Sequence, residues 1–181
     1  MKCSVVLLFL FNSMGVYAQT FTFGVVPQYE PQKLTAIWQP FLNKVTEKTG
    51  VKLKLVTVES IPVFEQGFAD GDYDFAYMNP WHSVIAYDKQ GYLPIVKDAA
   101  RHLQGVLVVN KNSNIESVKQ LEGAEIAFPA PNALGASLLM RAELALLYGL
   151  TIKPVYVKTH SSVYLNVALY ATPAGGGVMG T

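Results

Sequence analysis

The residue types that could do chemistry gather in four short stretches: Pro27-Gln28-Tyr29-Glu30, Asn79-Pro80-Trp81-His82, residues 129–137 and Thr159-His160-Ser161-Ser162. The third of these contains Asn132, Ala133, Leu134, Gly135, Ala136 and Ser137. Together they hold two of the three histidines, aromatic rings, amides and small hydroxyls, with Glu30 as their one carboxylate. From residue 144 to 181 there is no Asp or Glu, whereas Lys153, Lys158 and His160 are present. Hydrogen-bond donors in a locally positive setting suit an anion. They suit it better if the stretches open helices, whose first N–H groups are free and lie at the positive end of the dipole. The expected ligand-binding set is Tyr29, Asn79, Trp81, His82, Asn132, Ala133, Leu134, Gly135, Ala136, Ser137, His160, Ser161 and Ser162.

Plainer roles stay open for several of these residues. Ser161 or Ser162 reads equally well as a helix cap, and Trp81 as a core aromatic. Gly71-Asp-Tyr-Asp74 reads as a turn into a strand. The histidines at 82, 102 and 160 could converge on a metal, but a capping or packed role for each is commoner, so neither metal nor cofactor is expected. Enzyme signals are poor: there is no G-x-S-x-G, no G-x-x-x-x-G-K and no H-E-x-x-H. The single cysteine, Cys3, falls in the first eighteen residues.

The elements that must position these stretches alternate. Residues 21–26 are β-rich. Leu34, Ile37, Trp38, Phe41, Leu42 and Val45 then follow the spacing of one helical face, with Gly50 where a helix ends. Strands are predicted at 52–58 and 74–78, and a helix from Ser60 to Gly67 or Gly71. Asn79-Pro80 is a cap followed by proline at the first helical position. The rhythm repeats with strands at 105–109, 124–128 and 153–158 and helices at 115–121, 136–148 and 161–170. Such alternation implies mainly parallel sheets with flanking helices, in which ligands bind where strands end and helices begin. A lobe boundary is predicted near 100–110, dividing the chain into lobes 19–104 and 105–181. The chain stops at Thr181 directly after the glycine cluster 175–177, with no final helix to cover its last strand, so the second lobe is expected to be incomplete.

At 181 residues and 51% hydrophobic, the chain can bury a real core. Its 14 basic and 13 acidic residues leave a charge of +1, which argues against a nucleic-acid partner. Residues 1–18 read as a secretory signal: Lys2 supplies the positive start, residues 5–11 a seven-residue apolar run, and Val16-Tyr17-Ala18 a cleavage site. Its removal leaves an exported chain without cysteine, expected to be periplasmic.

The sequence resembles the phosphate/phosphite/phosphonate-binding family of ABC-importer periplasmic proteins. The resemblance rests on Phe23-Gly-Val-Val-Pro27, Trp38-Gln-Pro-Phe-Leu42 with Thr49-Gly50, and Gly71-Asp-Tyr-Asp-Phe-Ala-Tyr-Met-Asn-Pro80. It continues in Gly105-Val-Leu-Val-Val-Asn-Lys-Asn-Ser113, Leu121-Glu-Gly123, Ala127-Phe128 and Thr159-His160-Ser161-Ser162-Val-Tyr164. It implies a two-lobed α/β fold that closes on a small anionic ligand and delivers it to an ABC permease in the inner membrane. A monomer without enzymatic activity is the corresponding expectation. The family's hydroxyl positions at the helix start after the Ala-Phe strand read Ala133-Leu134-Gly135 here. Its acidic residue after the last helix reads Thr172-Pro173-Ala174, and its tyrosine before the next lobe's strand reads Leu103 or Gln104. The clamp would then rest on backbone N–H groups of residues 133–137 with His160 and the Ser161-Ser162 pair, and the case for an amine on the ligand is weakened. The alternative is an extracytoplasmic sensing module that feeds a signalling receptor through the same clamshell.

Overall fold

The computed structural model describes residues 19–100 and 102–180, so the signal-sequence expectation for residues 1–18 lies outside the described residues. The first unit runs β1 (Thr20–Val25), α1 (Pro31–Thr49), β2 (Lys52–Val56), α2 (Ile61–Asp70), β3 (Phe75–Tyr77) and α3 (Pro80–Gln90). Its sheet has the order β2-β1-β3, with both pairings parallel. The helix boundaries follow the chain's own punctuation. Prolines open α1, α2 and α3, and Gly50, Gly71 and Gly91 close them with left-handed φ of 73°, 81° and 74°.

Packing in this unit centres on Tyr73. Its ring stacks on Phe64 with centroids 5.4 Å apart. It also fills the space over Gly24 and Gly67, where an added Cβ would come within 2.6 Å and 2.3 Å of Tyr73 atoms. Burial of Phe64, Phe68, Ile61 and Tyr73 contributes about 1.5–3 kcal/mol each on transfer scales. The predicted apolar face of α1 is only partly covered. Leu34 and Leu42 are buried and Trp38 packs on Phe23 and Tyr77, yet Ile37 and Phe41 are 49% and 53% exposed.

The second unit runs β4 (Gly105–Val109), a 3₁₀ turn (Val118–Leu121), β5 (Glu125–Phe128), a π-helical turn (Leu134–Leu139), α4 (Met140–Leu146), β6 (Lys153–Tyr156), α5 (His160–Ala168) and β7 (Ala174–Val178). Its sheet order is β4-β7-β5-β6. All its pairings are parallel except β4 with β7. Two expectations are revised. The helix predicted at 136–148 begins as the π-helical turn and becomes α only at Met140, and the one at 115–121 is a single 3₁₀ turn capped by Ser117 and Gln120.

Residues 175–177, to which the sequence pattern assigns no element, add a strand. The glycine cluster is a wholly buried strand inside the sheet, between β4 and β5. A Cβ on Gly176 would lie 2.1 Å from the Ala136 carbonyl oxygen, and one on Gly175 2.5 Å from Val163. A strand without side chains lets the π-helical turn and α5 lie directly against the sheet, which is why no hydrophobic pattern announced it. Leu121, Ile126, Phe128, Met140, Leu144 and Ala174 form a core here. Val26, Ile61 and Phe64 of the first unit share another with Ala130, Ala133, Ala136 and Val178 of the second.

Candidate functional site

In parallel strands the carboxyl ends lie at one edge, and the segments leaving them become neighbours. β1 and β3 pair directly, and Val26 N–H donates to Tyr77 O at 3.0 Å, so the segments at 27–30 and 79–82 leave the first sheet side by side. β5 and β6 pair from Glu125↔Lys153 to Phe128↔Tyr156, which places 129–137 beside 157–162 on the second. Two hydrogen bonds then join the edges. Asn132 Nδ2 donates to Glu65 Oε2 at 3.3 Å, and Thr159 Oγ1 donates to Glu30 Oε1 at 3.4 Å. All four stretches singled out in the sequence therefore meet across the two units.

At the start of α3, Asn79 Oδ1 accepts from His82 N–H at 2.8 Å, the expected cap. The His82 ring is completely buried, 5.9 Å from Phe64 and 5.6 Å from Phe68 by centroid. Its Nε2 lies 3.0 Å from Glu65 Oε1, and its Nδ1 has no partner among the described residues. A hydrogen on Nε2 would donate to Glu65, and Asn79 Nδ2 lies 3.3 Å from the same nitrogen. Trp81, one position earlier, is 41% exposed.

After β5 the chain turns through Asn132 and Ala133 into the π-helical turn. The first bonded amides are Ser137 N–H and Leu138 N–H, both to Ala133 O, at 2.7 and 3.1 Å. The N–H groups of Leu134, Gly135 and Ala136 precede them and lie outside the helical ladder. Gly135, Ala136 and Ser137 are buried. Arg141, one turn on, donates from Nε to Ser137 Oγ at 3.2 Å and from a terminal nitrogen to Pro131 O at 3.0 Å, clipping the loop to the helix.

Thr159 caps α5 and uses its whole hydrogen-bonding capacity. Its oxygen accepts from Ser162 N–H at 3.1 Å and contacts Ser162 Oγ at 2.9 Å while its own hydrogen points to Glu30. Ser162 thus serves the cap, which is the plainer of its two roles. His160 opens α5, is buried, and has an Nδ1 without partner among the described residues. Burial pulls its pKa down to about 4, so the ring is neutral at pH 7. Tyr29 OH donates to Gly180 O at 3.4 Å, with Lys33 Nζ 3.6 Å from its ring centroid.

Three participants escaped the sequence reading. Thr159 stood in a quoted motif without a role. Arg141 was legible only as the i+4 neighbour of Ser137. Glu65 carries no local signal, because it sits on α2, away from any strand-to-helix junction. Among the described residues no three His, Cys, Asp or Glu side chains are grouped to hold a metal ion, and no helix is long and apolar enough to cross a membrane.

Two α/β units meeting at their strand ends define the class of periplasmic binding proteins. A crystal structure of a binding component of an ABC phosphonate transporter from Pseudomonas aeruginosa is similar with a TM-score of 0.74 and 17% identity, over 90% of this chain and 58% of that one. PhnD1 from Prochlorococcus marinus in complex with methylphosphonate is similar with a TM-score of 0.75 and 20% identity, over 88% and 64%. A putative periplasmic sulfonate-binding protein from Methylobacillus flagellatus reaches a TM-score of 0.53 at 22% identity, over 88% and 51%. At these identities the likeness is one of fold, and this chain spans about three fifths of the first two. A search of curated proteins found no match. Residues 23–178 match the family model of the ABC-transporter phosphonate periplasmic substrate-binding proteins, and the chain belongs to that family.

Proposed function

We propose that the chain binds a small oxyanion of the phosphonate or phosphate type between lobes 19–104 and 105–181 and presents it to an inner-membrane ABC permease. The observation that carries this reading is the pairing of β5 with β6, which sets the free N–H groups of residues 134–136 beside the α5 start with its buried His160. Backbone donors at helix starts hold an oxyanion without a fixed counter-charge. Arg141 holds the Pro131 carbonyl and the Ser137 hydroxyl in place and adds positive charge behind them. On the facing lobe, Tyr29, Asn79 and Trp81 are the proposed contacts, and the Asn132–Glu65 and Thr159–Glu30 hydrogen bonds tie the two lobes together.

The chain acts by binding alone, from the periplasm, and returns its ligand unchanged. Calorimetric titration with methylphosphonate and with inorganic phosphate tests the reading. Saturable one-site binding to either supports it, and no heat with either at millimolar concentration overturns it. Recovery of a dephosphonylated product after incubation would overturn the binding-only role.

A further inference from the structure

Two non-glycine residues among the described residues have positive φ, Lys158 at 76° and Tyr170 at 58°. Tyr170 sits just past the end of α5, in a common helix ending: Ala171 N–H donates to Asn166 O at 2.9 Å and Tyr170 N–H to Val167 O at 3.2 Å. Lys158 is different. Thr159 N–H donates to Val157 O at 3.0 Å, which closes a three-residue γ-turn with Lys158 at its centre. With positive φ this is the rare, strained hand of that turn. The matching exit from β1 uses the common hand: Gln28 N–H donates to Val26 O at 2.9 Å around Pro27, whose ring fixes a negative φ. The Lys158 side chain is exposed, so its conformation is imposed from either side along the chain. On one side Val157 N–H donates to Phe128 O at 2.9 Å and keeps the strand in register. On the other, buried Thr159 caps α5, and its hydroxyl donates to Glu30 Oε1 of the first unit at 3.4 Å.

We propose that Lys158 is an affinity-setting positioning residue: closing on the oxyanion holds its turn in the strained hand through the Thr159–Glu30 tie, and the strain offsets part of the binding free energy and keeps the ligand releasable. The inference rests on the oxyanion-binding reading above. A non-glycine residue keeps such a conformation only where its surroundings over-determine it, and ligand clamps are among those places. The Thr159–Glu30 bond exists only while the two units are together. Parting the units frees Thr159 from Glu30 and lets the turn relax, and closing them restores the strain. A ligand that favours the closed arrangement binds more weakly by the difference. Glycine takes φ of either sign without a Cβ clash and would remove it.

The test is calorimetry at pH 7 with methylphosphonate on the full chain, on Lys158→Gly and on Lys158→Ala. Both variants lose the same charge, so the difference between them reads the backbone. Lys158→Gly is expected to bind about fivefold or more tighter than Lys158→Ala. Affinity compares folded states, so the freedom that glycine adds to the unfolded chain enters the melting temperature alone. The same pair at Tyr170 is expected to differ in melting temperature and not in affinity. With Glu30→Ala added, the advantage of Lys158→Gly is expected to vanish. Equal affinities of the two Lys158 variants, an equal gain at Tyr170, or an advantage that survives Glu30→Ala overturns the proposal and leaves oxyanion binding standing, as does loss of all binding in Glu30→Ala. Should Lys158→Ala fail to fold, Lys158→Gly is compared with the unaltered chain at about 1 M salt, where the lost charge is screened, and the same gain is expected. No binding of methylphosphonate or of inorganic phosphate by the unaltered chain overturns both readings together.

Discussion

His160 joins a binding role to a measurable acid sensitivity. If its ring donates to an oxyanion, His160→Ala should weaken methylphosphonate binding by about 1.5–3 kcal/mol, the range for a hydrogen bond to a charged group. Unchanged affinity by calorimetry with the fold intact would make the ring structural. The same burial has a consequence for folding. Unfolded, the ring takes a proton near 6.5; folded, it resists until about 4. Above 6.5 both states are neutral and nothing is lost. As pH falls from 6.5 towards 4 only the unfolded state gains the proton, so about 3 kcal/mol of stability drains away across that window. Urea unfolding at pH 7.5 and 4.5 should show this loss, and His160→Gln should remove it; an equally steep decline in the variant would assign the loss to other groups.

At the scale of elements, β7 and the β1–β3 edge make the sharpest demands. Gly176→Ala places a Cβ against the Ala136 carbonyl and the Phe128 ring, and backbone cannot yield as a flexible side chain would. The expected cost is about 1–3 kcal/mol, the usual range for overpacking, read as a lower urea midpoint. No change in midpoint would mean that the turn lies farther from the strand. Asp74 ties β3 to β1 from outside. Thr22 N–H donates to its Oδ2 at 2.7 Å and the Thr22 hydroxyl at 2.8 Å, and these bonds hold the carboxyl below its usual range. A depressed carboxyl stabilises above the unfolded value of 3.8 and loses that contribution as pH falls through its lower folded value. Asp74→Asn should therefore lower the melting temperature at pH 7, and the difference from the unaltered chain should shrink in strong acid. A gap that persists there would point to packing rather than charge.

For the whole molecule, closing on a ligand should appear as stability. A ligand at a hundred times its Kd adds about 2.7 kcal/mol to a protein that binds it only when folded. Methylphosphonate at that excess should raise the melting temperature, and Asn132→Ala, which cuts a tie between the units, should reduce the rise. A full rise in the variant would mean that closure does not draw on that tie. Export is tested separately: N-terminal sequencing of periplasmic material should begin at Gln19, and an intact Met1 would count against a cleaved signal.

Alternation of strand and helix, the proline and glycine helix boundaries, the Asn79 helix start and the four polar stretches are all local. Each depends on a residue and its near neighbours, which is why the chain alone determined them. What the chain alone did not determine depends on contacts between distant residues. Gly175, Gly176 and Gly177 form a strand because α5 and the π-helical turn need a bare surface, a fact carried by Ala136 and Val163 and not by the glycines. Glu65 joins the candidate site because α2 turns that position towards Asn132, 67 residues away. His82 is a buried partner of Glu65 because Phe64 and Phe68 close over it. Ridges, register and crossover geometry decide such meetings, and none of them leaves a mark at short range in a sequence.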